Sequence, residues 1–139
     1  MGLILNIETS TKTCSVNLSK NGKSLGVNEI TGEKYVHGEK LHILIKNLFA
    51  SLNLSLKQLD AVGISAGPGS FTGLRIGVAT AKGLAFGLDI PLISLNSLEI
   101  MINCYHNKST NDNAIYFPMI DARRKEVYTA GYNLSLIHI

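Results

Sequence analysis

Residues 64–88 have the sequence ISAGPGSFTGLRIGVATAKGLAFGL, and this stretch decides the fold. A turn interrupted by glycine and proline at 66–70 leads into a predicted helix. Small residues recur in this helix at intervals of four, which places them on one side of it. They are Gly73, Gly77, Ala81 and Ala85. Because each interior glycine costs a helix about 1 kcal/mol relative to alanine, we expect this side to pack closely against the protein's own sheet.

The same predicted helix carries a second stripe, in which cations alternate with apolar side chains. Its residues are Phe71, Arg75, Val78, Lys82 and Phe86. A helix that covers a core presents an apolar stripe to that core and polar residues to the other side. Since this second stripe mixes the two kinds of side chain, we expect it to contact a partner.

Outward from this stretch, the hydrophobic periodicity predicts alternating strands and helices. The Asn21-Gly22 pair marks a tight hairpin among the first strands. The predicted elements are strands at 3–8, 13–19 and 23–31, a helix at 39–52, a strand at 61–66, the helix already described, a strand at 90–95 and a helix at 97–105. This order predicts an α/β fold with a mixed five-stranded sheet, in which three antiparallel N-terminal strands are followed by parallel strands with helices.

A polar segment at 106–113 predicts a boundary between residues 1–106 and 107–139. Beyond it we predict two further strands, at 115–120 and 127–132, around a polar connection. In that connection Asp121, Arg123 and Arg124 either position a partner or substrate or form a salt-bridged strand end. The sequence leaves both alternatives open.

The composition is that of a globular protein and excludes several classes. Of the 139 residues, 45% are hydrophobic and 17% charged, and the net charge is +3. The longest basic run is 123–125, which is too short to indicate a nucleic-acid partner. We expect a cytoplasmic protein that does not enter a membrane, because no apolar run reaches the length of a membrane span. Cys14 lies in an alternating segment and is predicted to be buried.

One rim of the predicted sheet gathers the candidate binding residues, because ligands of such sheets bind beyond the carboxyl ends of the strands. The glycine turn is either an anion site at a helix N-terminus or a tight turn that needs unusual backbone angles. It lacks the sequence of a P-loop. The candidate nucleotide-binding residues are Glu8, Thr9, Ser10, Gly67, Gly69 and Ser70.

No catalytic or metal-ligating set emerges from the spacing of the polar residues. His37 and His42 are five apart, whereas two ligands on one helical face need a spacing of three or four. Glu8 has no second carboxylate beside it, and Ser70 lacks the context of a nucleophile elbow. We therefore predict no catalytic residue and no metal site.

Four segments, in order along the chain, resemble the TsaB (YeaZ) family: IETSTKTCSVNL, SAGPGSFTGLRIGVATAKGLA, IPLISLNSLE and DARRKEVY. The resemblance implies an actin-like, ribonuclease-H-like lobe in residues 1–106 and the beginning of a second lobe in 107–139. Residues 132–139 do not resemble the family's continuation. We therefore expect the second lobe to be truncated or its end to be artefactual.

This family takes part in placing threonylcarbamoyl on the adenosine next to the anticodon of certain tRNAs, and it is related to the catalytic subunit TsaD. The resemblance implies a non-catalytic scaffold that pairs with a TsaD-like subunit, helped by a TsaE-like ATPase. It implies only indirect contact with tRNA and no cofactor of its own, with ATP acting at the level of the complex. TsaD binds its metal through His-x-x-x-His, and the corresponding positions here are His37 and Leu41, so the metal pair is expected to be missing.

The resemblance also implies a contact surface. In this family the first two helices, here 39–52 and 71–88, pack against those of the partner, and the protein pairs with itself when TsaD is absent. The implied interface residues are Leu41, Ile45, Phe71, Arg75, Val78 and Lys82. The alternative is an enzyme of the same superfamily that hydrolyses nucleotides or acts as a glycoprotease-like peptidase, for which Glu8, Thr9, Ser10 and the glycine turn argue.

Overall fold

The computed structural model describes residues 2–32, 37–106 and 114–133. Its centre is a five-stranded sheet in the order β3-β2-β1-β4-β5. The first three strands pair antiparallel, and β4 and β5 pair parallel to β1 and to each other. The predicted mixed sheet is therefore confirmed. The strands are β1 (Leu3–Glu8), β2 (Thr13–Lys20), β3 (Lys23–Thr31), β4 (Ala61–Ser65) and β5 (Leu92–Leu95).

Three helices accompany this sheet: α1 (His37–Ser51), α2 (Phe71–Leu88) and α3 (Ser97–His106). α1 packs on β2 and β3, and α2 packs mainly on β4. The side chain of Asn96 caps the start of α3, because its Oδ1 accepts the backbone N–H of Leu98 at 2.8 Å. The predicted lobe boundary at 106–113 lies largely outside the described residues.

The main core lies between the sheet and the helices α1 and α2. Alternate residues of β1 and β2 point into it, because side chains of a strand alternate between the two faces of a sheet. They include Leu5, Val16 and Leu18, none of which is exposed. Cys14 is buried among them, as predicted, and desolvation raises the pKa of its thiol. The opposite face of β1 is polar there, and the Asn6 side chain donates to Asn17 at 3.2 Å.

The stripe of small residues on α2 is buried against the protein itself, which confirms the prediction from its spacing. A Cβ on Gly73 would collide with the backbone oxygen of Thr9, and a Cβ on Gly77 with the Thr9 hydroxyl. The loop after β1 therefore sits directly on the helix. The glycines are required at these positions because any larger residue would push the loop away.

Beyond residue 113 the predicted pair of strands is wrong in detail, because four short strands are present. They form two antiparallel pairs, β6 with β9 and β7 with β8. Pro118 has no N–H to donate and interrupts the first predicted strand, and the second is broken before Gly131, on which Phe117 packs. The strands are β6 (Ile115–Tyr116), β7 (Met119–Arg123), β8 (Glu126–Thr129) and β9 (Tyr132–Asn133). Residues 134–139 lie outside the described residues.

Candidate functional site

The carboxyl ends of β1 and β4 meet at a turn that is organised by Glu8. One oxygen of its carboxylate, Oε1, accepts the backbone N–H of Ser10 at 2.6 Å and the hydroxyl of Ser65 at 2.9 Å. The two strands are thereby connected at their tips by one carboxylate. The half-buried Glu8 side chain thereby holds the loop after β1 against the end of β4.

The glycine turn is fastened to the same loop. The backbone N–H of Ser70 donates to the carbonyl of Ser10 at 2.6 Å, and the Ser70 hydroxyl accepts the N–H of Gly73 at 3.3 Å. A Cβ on Gly69 would come within 2.7 Å of the Ser10 Cβ. Two backbone donors at the start of α2 are therefore used inside the protein. These contacts support the alternative of a tight structural turn over that of an open anion cradle.

Gly67 and Thr9 complete this packed rim. The carbonyl of Gly67 accepts the N–H of Ser97 at 2.9 Å, and Gly67 has a φ of +110°, which favours glycine. Thr9 is fully buried, and its hydroxyl has no hydrogen-bond partner among the residues that the structure describes. The structure thus brings all six predicted rim residues together, with Thr9 buried and with Glu8 and Gly67 half-buried.

A cleft of about 590 Å³ opens beside this rim. One wall is the loop after β1 with the start of α2, and the other is the β7–β8 hairpin, with Met101 of α3 between them. Of the predicted nucleotide-binding residues, only Ser10, Gly69 and Ser70 line it. Its charged side chains are Lys12, Asp121 and Arg123, and its aromatic ones are Phe71 and Tyr128.

Sequence reasoning missed Lys12, Met101 and Tyr128 as lining residues of this cleft. Nothing in their spacing marks them, because they come from three separate elements that only the fold brings together. Asp121 accepts the backbone N–H of Arg123 at 2.7 Å, so the segment forms a strand end held by its own carboxylate rather than a salt bridge. Tyr132 is not among the residues that line the cleft; burial and the charge of Glu99 both raise the pKa of its phenol.

The outward side of α2 is exposed and carries the second stripe. Phe71 is 74% exposed and Phe86 92% exposed, and the guanidinium carbon of Arg75 lies 5.3 Å from the centre of the Phe71 ring. Lys82 is exposed as well. Val78 is only half-buried and packs against the core.

The two α1 residues of the implied interface have to be corrected. Leu41 is 2% exposed and Ile45 is 6% exposed, and both belong to the core beneath α1. A partner cannot contact them while this core is intact. The reason is geometric: helical spacing identifies an apolar stripe, but it does not tell whether that stripe faces the protein's own sheet or another chain.

Among residues 2–32, 37–106 and 114–133, no three histidine, cysteine, aspartate or glutamate side chains come together as a metal site would require. Leu41, which takes the second ligand position of the TsaD motif by resemblance, is a core residue. In the same residues, no helix is both long enough and apolar enough to cross a membrane.

Comparison with known proteins places the chain in a family. Residues 32–136 match the family model described as "TsaD: tRNA N6-adenosine threonylcarbamoyltransferase". The tRNA threonylcarbamoyladenosine biosynthesis protein TsaB of Haemophilus influenzae is 38% identical over 125 residues, which are 90% of this chain and 51% of that protein. The chain belongs to the TsaB (YeaZ) family.

Two further relatives agree with this membership. The TsaB protein of Escherichia coli is 35% identical over 93% of this chain and 54% of its own length. The solved structure "YeaZ from Pseudomonas aeruginosa" superposes with a TM-score of 0.84 at 31% identity, covering 96% of this chain and 60% of that one. The fold is therefore the actin-like lobe that the TsaB resemblance implied. The chain spans about half the length of the curated relatives it matches.

Proposed function

We propose that this chain is a non-catalytic subunit in the formation of N6-threonylcarbamoyladenosine in tRNA. Its relatives carry names that assign them to this biosynthesis. In this proposal it pairs with a TsaD-like catalytic subunit, a TsaE-like ATPase assists the pair, and ATP acts on the complex. When the TsaD-like subunit is absent, the chain pairs with a second copy of itself.

The observation that carries the proposal is the exposed side of α2. Exposed apolar patches rimmed by polar or charged side chains commonly mark interaction sites on a protein surface. Aromatic residues and arginine are the side chains most enriched at protein interfaces. Phe71 and Arg75 stack on one another there, while Gly73 and Gly77 fix the opposite side of the helix to the sheet. The helix thus presents a rigid surface.

Charge reversal on this side tests the proposal. The double variant Arg75→Glu and Lys82→Glu should weaken pairing with a TsaD-like subunit by about tenfold or more, since it replaces attraction by repulsion at the contact. Both side chains are exposed, so the circular dichroism spectrum and the melting temperature should stay close to those of the parent protein. Pairing is measured by gel filtration and titration calorimetry.

Lys20→Glu with Lys23→Glu is the matched control, because it changes the net charge equally at the β2–β3 hairpin, outside α2. This control should pair normally. Normal pairing of the α2 variant, or equal weakening of both variants, would contradict the proposed surface. A parent chain that associates with neither TsaD-like subunit nor a second copy would contradict the function itself.

The cleft beside the rim favours a second candidate, a nucleotide-hydrolysing member of the same superfamily. Lys12 and Arg123 line it together with Ser10 and Ser70, and the two cations are suited to an anionic ligand. Titration calorimetry of the isolated chain with ATP and Mg²⁺ separates the two candidates. If the chain is a non-catalytic subunit, we expect no heat of ATP binding without the partner. Tight ATP binding followed by phosphate release would establish the enzyme.

A further inference from the structure

The tip of the β7–β8 hairpin has a backbone conformation that its residues disfavour. Arg123, Arg124 and Lys125 have φ values of 70°, 54° and 64°, all in the left-handed region. Non-glycine residues seldom adopt such angles, and three in succession are strained. Residues held in this way cluster at functional sites, where the surrounding structure maintains the strain.

The chain shows how it builds such a turn when only the turn matters. In the β2–β3 hairpin, Asn21 and Gly22 occupy the two positive-φ positions at 54° and 76°. Asn-Gly is the pair that this geometry favours most. In the β7–β8 hairpin the same two positions hold Arg124 and Lys125. This turn therefore carries two cations at the positions where Asn and Gly would be relaxed.

One cation from a distant part of the chain, Lys12, lines the same cleft as Arg123 of this tip. Lys12 and Arg123 line the same cleft from opposite walls, although more than a hundred positions separate them. Arg124 and Lys125 are exposed, and neither side chain forms an ion pair with a described residue. Asp121 is engaged with the backbone of Arg123 at the base of the turn, and the remaining acid of the hairpin, Glu126, follows the tip.

We propose that the β7–β8 hairpin binds the phosphate backbone of RNA, with Lys12 and Arg123 leading the strand across the mouth of the cleft. Guanidinium groups match phosphate in a bidentate geometry. Tyr128 is 45% exposed in the cleft and offers a face on which an unpaired base can stack. The combination of phosphate-binding cations with an aromatic face favours RNA over an acidic protein segment. This inference rests on the proposed function, since it makes the tRNA contact direct.

The test measures binding of an unmodified tRNA transcript to the full chain by fluorescence anisotropy over a range of KCl concentrations. The variant Arg124→Asn with Lys125→Gly is decisive because we expect it to maintain or raise the stability of the chain while it lowers the affinity for tRNA. The melting temperature should equal or exceed that of the parent, since Asn-Gly relaxes the turn. Affinity for tRNA should fall, and the slope of log K against log [KCl] should become shallower by about two, the number of lost phosphate contacts.

Lys20→Gln with Lys23→Gln is the matched control, with the same loss of charge at the relaxed hairpin. It should leave the affinity within about twofold and the melting temperature near that of the parent. Unchanged tRNA affinity in the Asn-Gly variant overturns the inference, and so does an equal loss in the control, which would indicate net charge alone. Absence of tRNA binding by the parent chain also overturns it.

Competition separates RNA from an acidic protein partner. With both competitors counted by their negatively charged groups, poly-uridine should displace the tRNA at a lower concentration than polyglutamate does. The reason is that only RNA offers bases to Tyr128. Stronger displacement by polyglutamate overturns the RNA assignment. The Asn-Gly variant should still pair with a TsaD-like subunit in gel filtration. If the parent chain does not pair with a TsaD-like subunit but binds tRNA through the hairpin, the proposed function is refuted and the RNA contact stands.

Discussion

At Gly73 the fold leaves no room for even a methyl group. A Cβ there would collide with the backbone oxygen of Thr9, and backbone atoms cannot rotate away as a side chain can. Ten residues further along the same helix, a Cβ on Gly83 would meet nothing within 4 Å. The same residue type therefore has opposite roles at two places in one helix.

Substituting these two glycines by alanine should give effects of opposite sign. Gly73→Ala should lower the free energy of unfolding by about 1–3 kcal/mol, the usual cost of overpacking. Gly83→Ala should raise it by up to about 1 kcal/mol, because alanine is the better helix former. Urea denaturation followed by circular dichroism measures both. Equal destabilisation by the two variants would show that the loop after β1 does not sit on α2.

At the scale of elements, α1 and α2 have the same kind of sequence pattern and different surroundings. On α1, Ile45 is 6% exposed within the core, whereas Ile43 is 39% exposed. On α2 the large exposed residues are aromatic and accompany cations, as at Phe71 and Arg75. The pairing surface that we propose is therefore carried by α2, and the α1 residues Leu41 and Ile45 stabilise the lobe.

Two isoleucine substitutions on α1 test this division. Ile45→Ala should lower the free energy of unfolding by about 2–5 kcal/mol, as is usual when a buried isoleucine leaves a cavity. Ile43→Ala should change it by less than about 1 kcal/mol because that side chain is already partly in water. Thermal and urea unfolding provide the measurement. A small effect at Ile45 would return that residue to the candidate interface.

How far the sequence predicts each element depends on how local its determinants are. The β2–β3 hairpin follows from Asn21-Gly22, and the start of α3 follows from Asn96, since both are decided within a few residues. The segment from 115 was harder because its apolar run looks continuous, while Pro118 divides it. The pairing of β6 with β9 around the inner hairpin joins residues far apart in the chain, which no local pattern encodes.

At the scale of the molecule, stability is distributed unevenly between the five-stranded sheet and the two small ones. β1 is bonded on both sides, and its inward side chains belong to the core. The strands β6 to β9 form two-stranded pairs, and several large apolar side chains in or between them are exposed, Ile115, Phe117 and Met119 among them. Isolated two-stranded sheets are marginally stable in water.

Hydrogen exchange should reveal this difference. The backbone amides of β1 and β4 should exchange slowest, close to the rate set by global unfolding, whereas those of β7 and β8 should exchange faster through local opening. Exchange followed by mass spectrometry of peptic fragments resolves these strands. Equal protection in both regions would show that the hairpins are supported by contacts as strong as those of the main core.

The sequence by itself determined the succession of strands and helices along the chain, the buried stripe of α2 and the family, because periodicity, turn residues and a long glycine-rich motif are local signals. Only the tertiary structure decided which residues share the cleft and which side of each helix is free. It showed that Leu41 and Ile45 lie in the core rather than at an exposed interface, and that internal hydrogen bonds hold the glycine turn. It also set Lys12 across the cleft from Arg123. These outcomes depend on contacts between residues distant in the chain, and a one-dimensional pattern does not specify them.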